Sequence, residues 1–138
     1  MRYFLGLILS CCLAFPGFAQ SDEPIFDSYE TLRATLDGHI MRREIADVMR
    51  AFGGSDEMTE QELAALEGLV QALFPENFTN VDVLKVDEMG AGWRQELYAY
   101  WGGIRYLYAY VLLHDRGDSV VSVHFRFNTE FDVLNANF

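Results

Sequence analysis

Residues 93–129 read WRQELYAYWGGIRYLYAYVLLHDRGDSVVSVHFRFNT, and their parsing decides the fold. Three runs rich in aromatic and branched residues are separated by Gly102-Gly103 and by Asp115-Arg116-Gly117-Asp118. Glycine reaches the positive φ that tight hairpin turns require, so a Gly-Gly link between alternating runs predicts an antiparallel hairpin. With the turn at 102–103, Trp101 faces Ile104, Ala99 faces Tyr106, Leu97 faces Tyr108 and Trp93 faces Leu112. With Arg116-Gly117 closing the second hairpin, Tyr106 faces Phe127, Tyr108 faces Phe125, Tyr110 faces Val123 and Leu112 faces Val121. Arg116-Gly117-Asp118 is therefore turn chemistry rather than an adhesion motif. Both registers gather Trp93, Leu97, Trp101, Tyr106, Tyr108, Tyr110, Phe125 and Phe127 on one face, the expected inner face. The other face carries Glu96, Tyr98, Tyr100, Arg105, Leu107, Val111, Leu113, His124 and Arg126. Because side chains alternate, a slip of one residue would exchange the two sets.

Upstream, Val81 to Met89 reads as a further strand turning at Gly90-Ala91-Gly92. Two helical stripes precede it. Ile25, Tyr29, Leu32, Leu36 and Ile40 recur at helical spacing and continue through Ile45, Val48, Met49 and Phe52, with Gly38 as the expected kink or division. Thr59-Glu60-Gln61-Glu62 is a capping box ahead of Leu63, Leu66, Val70, Leu73 and Phe74, and Pro75 stops the second helix. Downstream, Phe131, Val133, Leu134 and Phe138 predict a tail that packs. The expected class is α+β, two N-terminal helices on a four-stranded antiparallel meander.

The chain opens MRYFLGLILSCCLAFPGFAQ. A basic Arg2, an apolar run from Tyr3 to Phe15, a Pro16-Gly17 break and small residues before Gln20 predict a secretory signal over 1–19, cut after Ala19. The apolar run of 13 residues is short of the roughly 20 needed to span a bilayer. Residues 20–138 then form one domain. Both cysteines, Cys11 and Cys12, fall in the leader, so the mature chain has no disulfide and no thiolate metal site. Without Arg2 it carries 9 basic against 21 acidic residues, a net charge of −12. That charge opposes binding to nucleic acid and to anionic membranes. Nine arginines to one lysine in the full sequence, together with such a leader, point to a GC-rich Gram-negative bacterium and a periplasmic or secreted location.

Helices followed by a curved antiparallel meander resemble the small cystatin-like and NTF2-like folds. The resemblance rests on element order and covers most of the mature chain. It implies a ligand pocket between sheet and helices and, in some members, enzymatic activity. It transfers no functional residue.

The three histidines, His39, His114 and His124, lack a second histidine or an acid at metal-binding spacing, so no metal or cofactor is expected. His114 at a turn reads as solvated. His124 lies across from Glu96 in the expected register, two strands away. Tyr98, Tyr100, Arg105 and Arg126 combine stacking surfaces with forked donors, which favours an anion or interface site. Tyr106, Tyr108 and Tyr110, beside Trp93 and Trp101, could line a cavity. Leu107, Val111 and Leu113 leave an apolar stripe on the expected outer face, for the tail, a ligand or a homodimer to cover. These features predict an exported binding module for a small apolar or aromatic ligand, or a protein partner. Its candidate residues are Tyr98, Tyr100, Arg105, Arg126, Tyr106, Tyr108 and His124, and no catalytic residue is assigned. The alternatives are a small NTF2-like enzyme working through Tyr108, His124 or Glu96, and a self-assembling subunit.

Overall fold

The computed structural model describes residues 23–138, so the leader read over 1–19 lies outside the described residues. The order is β1 (Ile25–Phe26), α1 (Tyr29–Met41), α2 (Ile45–Ala51), a 3-10 turn (Ser55–Glu57), α3 (Glu60–Leu73), β2 (Asn80–Gly90), β3 (Trp93–Trp101), β4 (Tyr106–Asp115), β5 (Val120–Asn128) and α4 (Phe131–Asn135). The class is α+β. The antiparallel sheet runs β1-β5-β4-β3-β2, so the expected four-stranded meander gains a fifth strand at its edge. That strand has two residues, pairing Ile25 with Val121 and Phe26 with Val120, and is too short to show alternation in sequence. Among the described residues no helix is long and apolar enough to cross a membrane.

Local chemistry sets the helix ends. Ser28 caps α1 by accepting from the Thr31 amide at 3.1 Å. The Thr59–Glu62 capping box of α3 has both of its reciprocal bonds, at 3.2 and 2.7 Å. Gly38 stays inside α1; the division falls at Arg42-Arg43, where Arg43 takes a φ of 60°. There the Arg43 amide bonds to the Ile40 carbonyl at 2.8 Å and the Glu44 amide to the His39 carbonyl at 2.9 Å. This pair of bonds is a Schellman closure with arginine in the left-handed position glycine usually takes.

The hairpins differ from expectation in register. The β3–β4 loop takes four residues, so Trp101 pairs with Tyr106 and Trp93 with His114, a slip of two that preserves the faces. In the β4–β5 ladder Ala109 pairs with Phe127, Val111 with Phe125 and Leu112 with His124. An irregularity between Leu112 and Leu113 then shifts the register so that Leu113 meets Ser122. The far half of β5 is thereby inverted. Phe125 and Phe127 join the Val111 face, while His124 and Arg126 join the Tyr110 face. At the β2–β3 turn Ala91 and Gly92 both have positive φ, 54° and 83°, the pattern of a two-residue primed turn.

The main correction concerns which face the helices cover. Leu32, Leu36 and Ile40 of α1, Ile45 and Val48 of α2, and Val70 of α3 pack with Tyr98, Tyr100, Leu107, Ala109, Val111 and Leu113, the face expected to point outward. The aromatic face is covered only in its middle, where Leu134 of α4 meets Leu97 and Tyr110, with Tyr108, Leu112 and Phe131 around them. The physical reason lies in side-chain shape and wetting. Leu107, Ala109, Val111 and Leu113 present a smooth aliphatic surface onto which helical ridges can settle. Trp101, Tyr106 and Tyr108 carry polar tips that tolerate half-exposure at little cost. A homodimer through Leu107, Val111 and Leu113 consequently has no exposed stripe to use, because the chain's own helices bury it. The tail packs as expected, on the opposite side of the sheet.

Candidate functional site

Two arrangements gather the polar and aromatic residues. The first lies between α1 and β3. Tyr29, Arg33 and Asp37 recur every four residues of a helix, a rise of about 6 Å. Glu96, Tyr98 and Tyr100 recur every two residues of a strand, a rise of about 6.7 Å. The two repeats nearly match, and the side chains meet as three rungs. The Tyr29 hydroxyl donates to both Glu96 oxygens at 2.7 and 3.0 Å. The Arg33 guanidinium lies over the Tyr98 ring, 4.6 Å from its centroid. The Tyr100 hydroxyl donates to Asp37 at 2.8 Å.

Cross-links tie the rungs together. Arg33 donates to the Tyr29 hydroxyl at 3.3 Å and pairs with Asp37 at 3.1 Å. The Tyr98 hydroxyl donates to Glu96. Arg94 reaches the same carboxylate at 2.6 Å, lies over the Tyr29 ring at 5.0 Å and also pairs with Glu88 at 3.2 Å. Glu96 is fully buried, and a buried carboxylate is tolerable only with such partners. Burial, then the negative charge of Glu96, hold the Tyr98 phenol well above its ordinary range. Burial, then Asp37, do the same to Tyr100. Burial also raises Tyr29, against the opposing bond from Arg33. Burial lowers Arg94, but its bond to Glu96 and the neighbouring negative charges of Glu96 and Glu88 together outweigh that, and the guanidinium stays charged. Every oxygen here is engaged and Glu96 is closed to solvent. A shallow cleft of about 380 Å³ ends at Tyr29, Trp93 and Arg94 without reaching the carboxylate.

The second arrangement sits at the β3–β4 loop. Leu73 and Phe74 at the end of α3 face Ile104 and Arg105 across two adjoining cavities. One, of about 270 Å³, extends toward Pro75 and Phe78; the other, of about 510 Å³, extends toward Tyr106 and Tyr108. Ile104 is 95% exposed, and Leu73 and Tyr106 are each 42% exposed. Trp101, Tyr106, Tyr108 and Phe131 continue the aromatic surface, with successive ring centroids 5.7, 6.2 and 5.6 Å apart. Arg105 donates one nitrogen to the Leu73 carbonyl at 3.0 Å, which holds its side chain over the cavities. It is the cation among their lining residues. Arg43 steadies the far wall through the Phe74 carbonyl at 3.0 Å and Asn77 at 3.1 Å.

The seven residues selected from sequence separate into three places. Arg105, Tyr106 and Tyr108 line the loop-end cavities. Tyr98 and Tyr100 are buried in the α1–β3 ladder, and Tyr100 pairs with Leu107 rather than facing Arg105. His124 and Arg126 are exposed on the α4 side, His124 edge-on to Tyr110 at 6.3 Å. They share no face with Glu96, Tyr98 or Tyr100, so neither a His124–Glu96 pair nor a Tyr98–Arg126 cluster forms. His114 is stacked on Trp93 at 4.4 Å instead of standing free. Sequence reasoning missed Tyr29, Arg33 and Asp37, whose four-residue spacing against Glu96, Tyr98 and Tyr100 was a usable signal. It also missed Leu73 and Ile104 as cavity walls. Comparison with family models, with curated proteins and with solved structures returned no match.

Proposed function

We propose that this protein is an exported binding module that takes a small apolar or aromatic molecule in the cavities between the α3 end and the β3–β4 loop. The observation that carries this reading is the exposure of Ile104, at 95%, beside Leu73, Tyr106 and two cavities of ligand size. An isoleucine so exposed, continuous with other apolar side chains, marks a surface awaiting a partner. Small-molecule sites combine such walls with a few polar groups, and Arg105 supplies one here, suited to an acidic substituent. The cystatin-like or NTF2-like resemblance is kept as part of the same proposal, with the ligand at the open end of the helix–sheet layer. The α1–β3 ladder is read as the device that fixes α1 on the sheet, since its carboxylate is closed and fully bonded. Export rests on the leader; Gln20 as the first residue of protein recovered from a periplasmic extract would support it, and an intact Met1 would oppose it.

The test is a titration with 1-anilinonaphthalene-8-sulfonate, an aromatic anion, followed by its own fluorescence and by the summed emission of Trp93 and Trp101. Saturable binding at one site, lost in Ile104→Asp and weakened in Arg105→Gln, is the expected result. Binding unchanged in Ile104→Asp would overturn the assignment. A dimer in light scattering that Ile104→Asp converts to monomer would instead make this patch a subunit interface.

A further inference from the structure

We propose that His39, Glu44 and Asp47 form a binding site for a first-row divalent cation such as Zn²⁺ at the α1–α2 corner. One donor atom from each of the three lies within 4.8 Å of the others. His39 Nδ1 is already 3.1 Å from a Glu44 oxygen. A tetrahedral ion bound at about 2.1 Å holds its donors about 3.4 Å apart, so modest side-chain rotation suffices. One imidazole with two carboxylates suits borderline dications and leaves positions for water.

The backbone explains why these residues meet. A Schellman closure brings the third residue from the helix end beside the second residue past its cap, and an apolar contact usually joins them. Here the two positions are His39 and Glu44, closed by the Arg43 and Glu44 amides, and the contact is between an imidazole and a carboxylate. Asp47 follows in the first turn of α2, on the same side. The sequence hides the cluster, because its spacing of four and two intervening residues crosses a helix boundary.

Two arginines now share the carboxylates. Arg42 bonds to Glu44 and Arg50 to Asp47, the latter at 2.9 Å. The Arg42 side chain is 55% exposed, so an arriving dication can displace it, while Arg50 is tethered to Glu60 as well as Asp47 and leaves Asp47 the weaker ligand. The proposal therefore makes a prediction that a merely structural ion-pair cluster does not. Removing the competing guanidinium should strengthen metal binding.

The experiment is calorimetric titration of the metal-stripped full chain with Zn²⁺, beside the variants His39→Ala, His39→Gln and Arg42→Gln. Circular dichroism verifies that each remains folded. One Zn²⁺ per chain, at least tenfold weaker in both His39 variants and tighter in Arg42→Gln, is the expected pattern. Binding that persists unchanged without His39, as it would at Cys11 and Cys12 or at the other histidines, overturns the proposal. So does the absence of any stoichiometric Zn²⁺ binding by the wild type.

Discussion

Replacing Glu96 with glutamine tests the α1–β3 ladder directly, because the new side chain has the same shape and only the charge and one acceptor change. In the native chain the carboxylate accepts from the Tyr29 and Tyr98 hydroxyls and from Arg94. Glutamine offers one carbonyl oxygen to these three donors and turns an NH₂ group toward the others. At least one buried donor then goes unpaired, at roughly 1–3 kcal/mol. Arg94 also loses its buried partner, keeping only the exposed Glu88, and breaking a buried pair from one side costs roughly 3–5 kcal/mol in all. With a urea m-value of about 1.5 kcal/mol/M, the unfolding midpoint should fall by about 2–3 M, followed by far-UV circular dichroism. Tyr98→Phe alone should cost about 1.5–3 kcal/mol, since it removes one bond to a charged acceptor. The double variant should lose less than the sum of the two, by about 1 kcal/mol or more, because both substitutions break the same contact. A midpoint shift below about 0.7 M for Glu96→Gln, or strictly additive losses, would refute the view that this network fixes α1 on the sheet.

Further outcomes concern two glycines, the buried phenols and the C-terminal tail. Gly92→Ala should destabilise by about 2 kcal/mol or more, because φ is +83° and a Cβ would lie 2.1 Å from the Asp115 carbonyl oxygen. Gly68→Ala, in α3 with nothing within 4 Å, should stabilise by about 0.5–1 kcal/mol; thermal unfolding of the two variants checks both signs. Burial raises the phenols of Tyr29, Tyr98, Tyr100 and Tyr110, so the folded state holds protons that the unfolded chain releases near pH 10. Stability should therefore be unaffected by these groups below about pH 9 and decline above about pH 10, and part of the phenolate absorbance at 295 nm should arrive only with unfolding. A titration in which all phenolate signal precedes loss of the dichroism would contradict this. Leu134→Ala should cost about 2–4 kcal/mol and release α4, exposing Phe131 to faster chymotryptic cleavage; an unchanged cleavage rate would mean that the tail is not held by this contact.

The class of fold was legible because strand alternation, turn glycines and helical stripes are local signals. Leu32, Leu36, Ile40, Ile45, Val48 and Phe52 are buried as the stripe predicts, whereas Ile25, placed in the same helical stripe, lies in β1 and is exposed. The inner face was misread because aromatic bulk was weighed above the ability to lie flat and dry. Leu107, Ala109, Val111 and Leu113 have less area than the tyrosines and tryptophans, yet they are the better seat for helices. The register of β5 was hidden by an irregularity at Leu112–Leu113, a shift that no pattern of alternation announces. The break between α1 and α2 was assigned to Gly38, but it is made by Arg43, a residue that rarely takes positive φ. As for the candidate site, Arg105 was grouped in sequence with Tyr98, Tyr100 and Arg126, and Tyr106 and Tyr108 were placed on the opposite face; that the three line one cavity depends on the four-residue loop before Tyr106 and was not legible. Nor was Leu73, because its place at the cavity depends on how α3 docks, a tertiary relation.

The binding proposal is tested most directly by two-dimensional ¹H–¹⁵N NMR of the protein titrated with 1-anilinonaphthalene-8-sulfonate. Shifts concentrated at Leu73, Phe74 and Ile104 to Tyr108, saturating together with one affinity, are the predicted result. Shifts centred on α4 or on Trp93 and His114, or none at concentrations that saturate the fluorescence, would place the ligand elsewhere and contradict it.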